Sequence, residues 1–254
     1  MKKRAVNFQF RPAILEEREE FYKKEFSIDK VKKWFKNHNM VIPQLCAIDA
    51  GSDSEFIKNK KWKDSMFYFH FSKLKEKINK YVPEDIYYDR NLYKNPEKKL
   101  KNIVSRDFFS DENFISQELV FDIDSDNIKC NHTIEKKVCN KCLNKSWYYS
   151  LKIKKLLKKN FDFNKMSIVY SGRGFHVHIF DEKAFFLNKK EREKIVNKFL
   201  KFPIDPWVSR GHIDLIRLPY SLNALVSREV IPIDNKNTFR KNTGIPKFLK
   251  KQAN

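Results

Sequence analysis

Glycine and cysteine are scarce in this chain of 254 residues, which contains 5 Gly and 4 Cys. So little glycine excludes a collagen-like or glycine-rich protein, and four cysteines do not form the dense framework of a secreted disulfide domain. No apolar run approaches the roughly 18 residues of a membrane-spanning helix, and no apolar signal segment follows the basic start Met1–Ala5. We therefore expect a soluble, intracellular protein, whose 41% apolar and 15% aromatic residues suffice for a packed core.

Acidic residues are also in short supply. The 32 Asp and Glu are outnumbered by 53 Lys and Arg, which gives a net charge of +21. A charge of this sign and size attracts polyanions and speeds their association, so nucleic acid is the first partner class to consider. The alternative is a lysine-rich surface that is merely solvated, because charge alone does not separate the two.

Hydrophobic periodicity predicts a mixed α/β fold, with helices and strands alternating along the chain. The aromatic run at 66–71 indicates a strand that is buried on both faces. The other predicted elements are two helices within 14–37, strands at 40–50, 86–88, 118–124, 166–170 and 175–180, and helices at 72–81, 146–159 and 188–201, with a loop at 125–146. We expect one core over residues 1–235 and a basic, flexible tail over 236–254.

Two aspartates on one predicted strand form the first candidate site. Asp122 and Asp124 lie two positions apart, so both carboxylates point to the same face of the strand. Two like charges held together need a cation, and hard oxygen ligands suit Mg²⁺ or Mn²⁺. Solvated acids at a strand end are the simpler alternative. Asp205 and Asp214 are both candidates for a third carboxylate, and their spacing does not choose between them.

A second candidate site follows in the predicted loop. Cys130, His132, Cys139 and Cys142 offer three thiolates and one imidazole within thirteen positions, a donor set that suits tetrahedral Zn²⁺. Chance clustering is the alternative. Four protein ligands leave no open position for water, so the predicted zinc is structural and any catalytic metal lies elsewhere.

A short turn between two predicted strands carries the third group of candidates. Ser171, Arg173 and His176 present a hydroxyl, a guanidinium and an imidazole, all of which can donate to phosphate oxygens. Two of the chain's five glycines lie in this turn, which indicates unusual backbone torsions or a close approach to a ligand. His178 shares a strand face with His176, and we interpret it as a satisfied core histidine.

Taken together, these segments resemble the catalytic (small) subunit of archaeal and eukaryotic DNA primases. The resemblance rests on the order of four motifs, and it covers most of residues 40–234. The motifs are Glu-Leu-Val-Phe-Asp-Ile-Asp at 118–124, the zinc ligands after it, Ser-Gly-Arg-Gly-Phe-His at 171–176, and Ile-Asp-Pro-Trp-Val-Ser at 204–209. A fifth segment, Asp214 to Leu222, looks like the family's basic residue before a Pro-x-Ser turn.

The resemblance implies a fold, a site and an activity. The fold is a primase catalytic core with an RRM-like half and a zinc-binding loop. Asp122, Asp124 and Asp205 would hold two divalent metals, Mg²⁺ or Mn²⁺, which leaves Asp214 outside the triad. Ser171, Arg173, His176 and Arg217 would bind the nucleotide, and Cys130, His132, Cys139 and Cys142 would bind structural Zn²⁺.

The implied activity is that of a DNA-directed RNA polymerase, a nucleotidyltransferase that makes short RNA primers on single-stranded DNA and releases pyrophosphate. Its expected partners are the template, NTPs, a primer duplex and a primase large subunit, with no membrane, in the cytoplasm of an archaeon. The alternatives are a polymerase of the same superfamily for gap filling or end joining, and a catalytically weakened subunit that binds single strands.

The chain departs from the family's pattern at several polar positions. Asn223 stands where the family usually has His, and the following 224–227 lacks its usual Lys and Gly. Ser54 replaces the Arg of an Arg-Glu-Phe motif, and Phe69 replaces an Arg before His70. Three cations are thereby lost, which predicts weaker nucleotide binding.

Overall fold

The computed structural model describes residues 9–51, 66–102, 107–130, 138–233 and 238–251. Two of the positions singled out in the sequence, Ser54 and His132, lie outside these residues. The helices are α1 Leu15–Lys24, α2 Ile28–Asn37, α3 Leu74–Tyr81, α4 Pro96–Leu100, α5 Asn140–Phe161, α6 Glu182–Phe185, α7 Lys189–Asn197, α8 Pro206–Arg210 and α9 Lys247–Lys251. The strands are β1 Leu45–Asp49, β2 Met66–His70, β3 Asp85–Asp89, β4 Asn91–Tyr93, β5 Phe114–Gln117, β6 Leu119–Asp124, β7 Met166–Tyr170, β8 Gly174–Ile179, β9 Leu215–Arg217, β10 Leu222–Asn223, β11 Arg228–Glu229 and β12 Ile231–Ile233.

Two four-stranded sheets organise the described part of the chain, and all of their strand pairs are antiparallel. The first sheet has the order β2-β1-β3-β9 and the second the order β12-β7-β8-β6. Two-stranded pairs β4-β5 and β10-β11 accompany them. The predicted mixed α/β fold is therefore confirmed, whereas the RRM-like half stays a prediction.

Side chains of β6 alternate between the two faces of its sheet, and this alternation places Asp122 and Asp124. Leu119, Phe121 and Ile123 are buried in a core that also contains residues of α5, which we call the second core. Val120 points the other way, into a first core built around α1, α2 and the first sheet. Because side chains alternate along a strand, Asp122 and Asp124 share the Val120 face and lie between the two sheets.

The long helix α5 differs from its prediction. It begins at Asn140, six residues before the predicted start, so Cys142 lies in its first turn rather than in a loop. Cys139 has an extended backbone and ends the preceding segment, while Asp162 adopts a left-handed conformation and ends the helix. Cysteine and asparagine are weak helix formers, which hid this start in the sequence.

Strand β2 is only partly buried, whereas the sequence predicted burial on both faces. It lies at the edge of the first sheet, and Met66 is 40% exposed. Phe67 packs on one side, where it lies edge-on to Tyr81 of α3 at 4.9 Å between ring centroids. Tyr68 faces the other side, where its hydroxyl donates to Asp214 at 3.1 Å. A run of aromatics therefore marked an edge strand that is covered by a helix.

The predicted flexible tail is also corrected for residues 238–251. Ile245, Phe248 and Leu249 are buried in the first core. The backbone N–H of Lys247 donates to both carboxylate oxygens of Glu25, at 3.0 Å each. Apolar residues spaced among the lysines thus attach α9 to the end of α1.

Of the helices that the structure describes, none has the length and apolar character of a membrane span.

Candidate active site

A cavity of about 340 Å³ opens between the two sheets. The first sheet contributes Tyr87 from β3 and Leu215 and Ile216 from β9, and Val208 of α8 also lines the cavity. The predicted site residues meet here, although they come from four separate stretches of the chain. They are Asp122, Asp124, Ser171, Arg173, His176, Asp205 and Arg217.

Asp122 and His176 are direct partners in the β6-β8 register. The Nε2 of His176 lies 3.6 Å from Oδ1 of Asp122, and His176 is 3% exposed. Burial, followed by the nearby charges of Asp124 and Asp205, raises the pKa of Asp122 to about 8. Burial also holds the pKa of His176 well below its ordinary value. The site therefore presents a neutral imidazole beside clustered carboxyl groups.

Asp205 reaches Asp122 through the backbone. Its N–H donates to the carbonyl oxygen of Asp122 at 2.8 Å, which attaches the start of α8 to β6. Its Oδ1 accepts from the backbone N–H groups of Trp207 and Val208 at 2.8 and 3.3 Å and so caps α8. The cap fixes the carboxylate at the cavity wall.

Arg173 is paired with acidic residues at the end of β6. Its Nη2 donates to Oδ2 of Asp124 at 2.5 Å, and Nη1 lies 3.2 Å from Oδ2 of Asp126. The Arg173 side chain is 25% exposed at the cavity edge. A guanidinium in this position can also reach an anion that enters the cavity.

The turn that carries Arg173 depends on its glycines and on Asn223. Gly172 has φ of +94°, which favours glycine. At Gly174 an added Cβ would lie 2.3 Å from the carbonyl oxygen of Ile123, so only glycine lets β8 approach β6 this closely. The Nδ2 of Asn223 donates to the carbonyl oxygen of Ser171 at 2.8 Å, and the Ser171 Oγ accepts from the Gly174 N–H. Asn223 therefore supports the turn from the β10 side.

Arg217 faces the cavity from the opposite sheet. It forms an ion pair with Asp85 of β3, and its guanidinium lies 5.2 Å from the centre of the Tyr87 ring. Asp85 is buried, with 3% exposure. Sequence analysis missed Asp85, because its pairing with Arg217 depends on the β3-β9 register rather than on any local motif.

The carboxylates fit a divalent cation by their chemistry. They supply hard oxygen ligands on one face, and the raised pKa of Asp122 reflects its burial beside the charges of Asp124 and Asp205, which a bound cation would offset. Asp214, the other candidate for a third ligand, lies apart from this cavity. Its carboxylate accepts from the Tyr68 hydroxyl at 3.1 Å and pairs with Lys99 at 2.6 Å.

Three of the four predicted zinc ligands converge at the start of α5. The sulfur atoms of Cys130, Cys139 and Cys142 all lie within 4.8 Å of one another. Burial raises the pKa of the Cys142 thiol to about 12, and the neighbouring Cys130 and Cys139 add to the shift. Soft sulfur donors at this separation fit a zinc ion, which would favour their thiolate forms.

A buried polar network behind the site was also missed. His178 lies against the carboxylate of Glu118, with Nδ1 2.8 Å from Oε1. The Tyr88 hydroxyl donates to the other oxygen of Glu118 at 2.6 Å. All three are almost fully buried, with at most 1% exposure. His178 is therefore a core histidine, as predicted, but it is satisfied only at Nδ1, because its buried Nε2 has no partner among the described residues. The only sequence signal for Glu118 is an acid directly before an apolar strand.

Comparison with known proteins gives consistent results. A family model described as DNA primase small subunit matches residues 121–219. An uncharacterized DNA primase small subunit-like protein of Archaeoglobus fulgidus is 36% identical, over 94% of this chain and 91% of that protein. The DNA primase small subunits PriS of Thermococcus sibiricus and Pyrococcus furiosus are 29% and 30% identical, over 74% and 73% of this chain. The chain covers 50% and 48% of those two proteins, respectively.

Proposed function

The chain belongs to the DNA primase small-subunit family, and from this we propose that it is a template-directed nucleotidyltransferase that makes short RNA primers on single-stranded DNA. The observation that carries this proposal is the meeting of three carboxylates and four phosphate-directed donors in one cavity. A module that only binds strands has no need for clustered carboxylates such as these, in which burial and the charges of two neighbouring carboxylates raise the pKa of Asp122.

Asp122, Asp124 and Asp205 would hold two divalent cations, Mg²⁺ or Mn²⁺. When bound, such ions make the primer 3′-hydroxyl more acidic and neutralise charge on the attacking and leaving oxygens of an in-line displacement. Asp205 is pre-positioned for this role by its cap on α8, and Asp122 by its place opposite His176.

Arg173, His176 and Arg217 surround the space where the triphosphate of an incoming nucleotide would lie. Arg173 supplies a guanidinium at the cavity edge, and Arg217 supplies another from the facing sheet. His176 stays neutral because of its burial, so it acts as a hydrogen-bond donor rather than as a charge. With Ser171, these groups would orient the α-phosphate toward the primer hydroxyl and stabilise pyrophosphate as it leaves.

The zinc site would be structural. Cys130, Cys139 and Cys142 would be joined by His132, which is outside the described residues, to complete four ligands. Free thiols require reducing conditions, so an intracellular location, in the cytoplasm of an archaeon, is part of the same proposal. The chain spans about half of the PriS proteins. Membership in a small-subunit family is the reason for which a large-subunit partner for initiation is likewise proposed.

The test is de novo synthesis on unprimed single-stranded DNA with labelled NTPs and Mg²⁺ or Mn²⁺. We expect products from the wild-type chain and none from the Asp122→Asn/Asp124→Asn variant. Asp214→Asn is the matched control, since this carboxylate is buried outside the cavity, and it should retain synthesis if it folds. If the wild-type chain makes no product on unprimed DNA but extends a supplied primer, initiation depends on a partner. If the folded, zinc-loaded chain shows neither de novo synthesis nor primer extension, the proposal is contradicted.

A further inference from the structure

Helix α5 has a charge composition unlike that of the other long helices. Its 22 residues include seven lysines and no acidic residue. In α1, by contrast, Lys23 and Lys24 are paired with Glu19 and Glu20 one turn earlier. The last two lysines of α1 are thus compensated within their own helix, whereas α5 contains no acidic residue that could do the same.

Most of these lysines form one straight stripe. The exposed positions follow at intervals of four and three residues, which keeps them on a single face of the helix. The stripe consists of Lys141, Lys145, Tyr148, Lys152, Lys155 and Lys159. At about 1.5 Å per residue it is roughly 27 Å long. Within the described part of the chain, its lysines form no salt bridge.

Such an arrangement is unfavourable without a counter-ion. Lys141 and Lys145 are four residues apart, as are Lys155 and Lys159, and like charges at this spacing destabilise a helix. A merely solvated face would gain from the alternating acids that α1 carries. A row of uncompensated cations is instead matched by a polyanion that runs along the helix.

An exposed aromatic ring lies in the middle of the stripe. Tyr148 is 52% exposed, and the Lys152 ammonium lies 4.7 Å from the centre of its ring. Tyr148 and Tyr149 line a shallow groove of about 610 Å³ together with Lys145 and Lys241, the latter from the C-terminal segment. Cations beside an exposed ring are the elements with which proteins hold unpaired bases and their phosphates.

The stripe is connected to the cavity at its N-terminal end. Cys142, in the first turn of α5, belongs to the cysteine cluster. The short 3-10 turn Ser125–Asn127 directly follows β6 and packs against α5. Asp126 in that turn contacts Arg173 at the cavity edge. The 3-10 turn therefore lies between the edge of the cavity and α5.

We infer that the exposed face of α5 is a binding surface for single-stranded nucleic acid, with the lysines on successive phosphates and Tyr148 stacked on a base. Only the identity of the strand, a DNA template, rests on the function proposed above. The surface lies on the far side of the second sheet from the carboxylates, since α5 covers the opposite face of β6. It is therefore distinct from the nucleotide-binding cavity.

The test compares two triple variants of the full chain by fluorescence anisotropy. The substrate is a labelled oligothymidylate of about 20 nucleotides, without NTP or divalent metal, at salt concentrations from about 50 to 200 mM. One variant is Lys145→Gln/Lys152→Gln/Lys155→Gln on α5. The matched control is Lys32→Gln/Lys33→Gln/Lys36→Gln on α2, which removes three exposed lysines from a helix of the first core.

For the α5 variant we expect binding that is weaker by about tenfold to a hundredfold at low salt, with a log–log salt slope shallower by about 2. The α2 control should change both values far less. Equal effects of the two variants would mean that net charge, and not this surface, holds the strand. An α5 variant with unchanged affinity and slope would overturn the inference.

The stacking role is tested separately. Tyr148→Ala should weaken binding by about fivefold to a hundredfold, and Tyr148→Phe should restore it because the ring is kept. If Tyr148→Ala has no effect and a duplex binds more tightly than the single strand, the single-strand assignment is wrong. Asp122→Asn should bind the oligothymidylate as tightly as the wild type does. Loss of primer synthesis and loss of strand binding by the α5 surface are therefore distinguished.

Discussion

Arg173 donates to Asp124 at 2.5 Å, so a proposed phosphate ligand and a proposed metal ligand are paired with each other. The guanidinium occupies a carboxylate oxygen that a divalent cation would also use. Binding of a cation at Asp124 would therefore be linked to release of Arg173, and the released guanidinium would be available to an incoming triphosphate. Before a nucleotide binds, the Arg173 guanidinium and the cation would therefore compete for the Asp124 carboxylate.

Replacement of Arg173 by Gln should make Mn²⁺ binding tighter in the absence of nucleotide. Loss of a competing ion pair at a partly exposed site favours the metal by about 1 kcal/mol, or roughly fivefold in Kd. The same variant should raise the KM for NTP, because a phosphate ligand is lost. Calorimetric titration with Mn²⁺ measures the first effect, and weaker Mn²⁺ binding by the variant would contradict the competition.

The Asp122 carboxyl should make the metal-free protein less stable as the pH rises. Its pKa is raised by burial from 3.8 to about 8 on folding. The folded state therefore holds a proton that the unfolded state has lost, and the free energy of unfolding falls between about pH 4 and pH 8. Asp122→Asn removes this dependence and should be roughly 1 to 3 kcal/mol more stable than wild type at pH 8 in a buffer without Mg²⁺ or Mn²⁺.

Urea denaturation at several pH values measures this difference. Glu112→Gln, at an exposed position, is the control and should follow the wild-type curve. Added Mn²⁺ should raise the melting temperature of the wild type, because a ligand that binds only the folded state stabilises it. A similar rise in Asp122→Asn would show that the ion binds elsewhere.

The cysteine cluster should account for all of the protein's zinc. We expect about one zinc per chain, lost in Cys139→Ser, together with a large drop in melting temperature on chelation. Cys46→Ser is the matched control, because Cys46 is a free thiol buried in β1, apart from the cluster. His132→Ala tests the fourth ligand. Retention of zinc by Cys139→Ser, measured by mass spectrometry, would contradict this site.

Glu118→Gln should destabilise the protein without any direct contact with the cavity. The change removes a buried negative charge that accepts from Tyr88 and lies against His178. Hydrogen bonds to charged groups contribute about 1.5 to 3 kcal/mol each, so we expect a loss of roughly 2 to 3 kcal/mol, since the amide keeps part of the bonding. Glu182→Gln, at an exposed position of α6, should cost far less. Equal unfolding midpoints for the two variants would refute a structural role for Glu118.

Local pattern was sufficient to predict much of this site. The strands that carry Asp122 and His176 follow from apolar runs broken by a glycine turn, and the period of two places both carboxylates on one face. The grouping of cysteines similarly predicted a cluster. In each case the residues that matter are close in sequence.

Contacts between distant segments could not be predicted in the same way. Arg217 pairs with Asp85 across 132 positions, and Asn223 reaches Ser171 across 52. Asn223 looked like the loss of a family histidine, yet it donates to the backbone of the glycine turn. Sheet register and loop approach decide such pairs, and a single sequence does not encode them as a local pattern.

The position of α9 has a consequence for the order of assembly. The first core joins Phe21, near one end of the described chain, to Phe248 and Leu249, near the other. The buried residues of the second core come from a narrower span, Leu119 to Ile233. During synthesis the ribosome must release residue 249 before the first core can close. The side of the cavity that carries Arg217 is thus completed last. In a nascent chain, β6 with Asp122 and Asp124 is in place before the cavity can close.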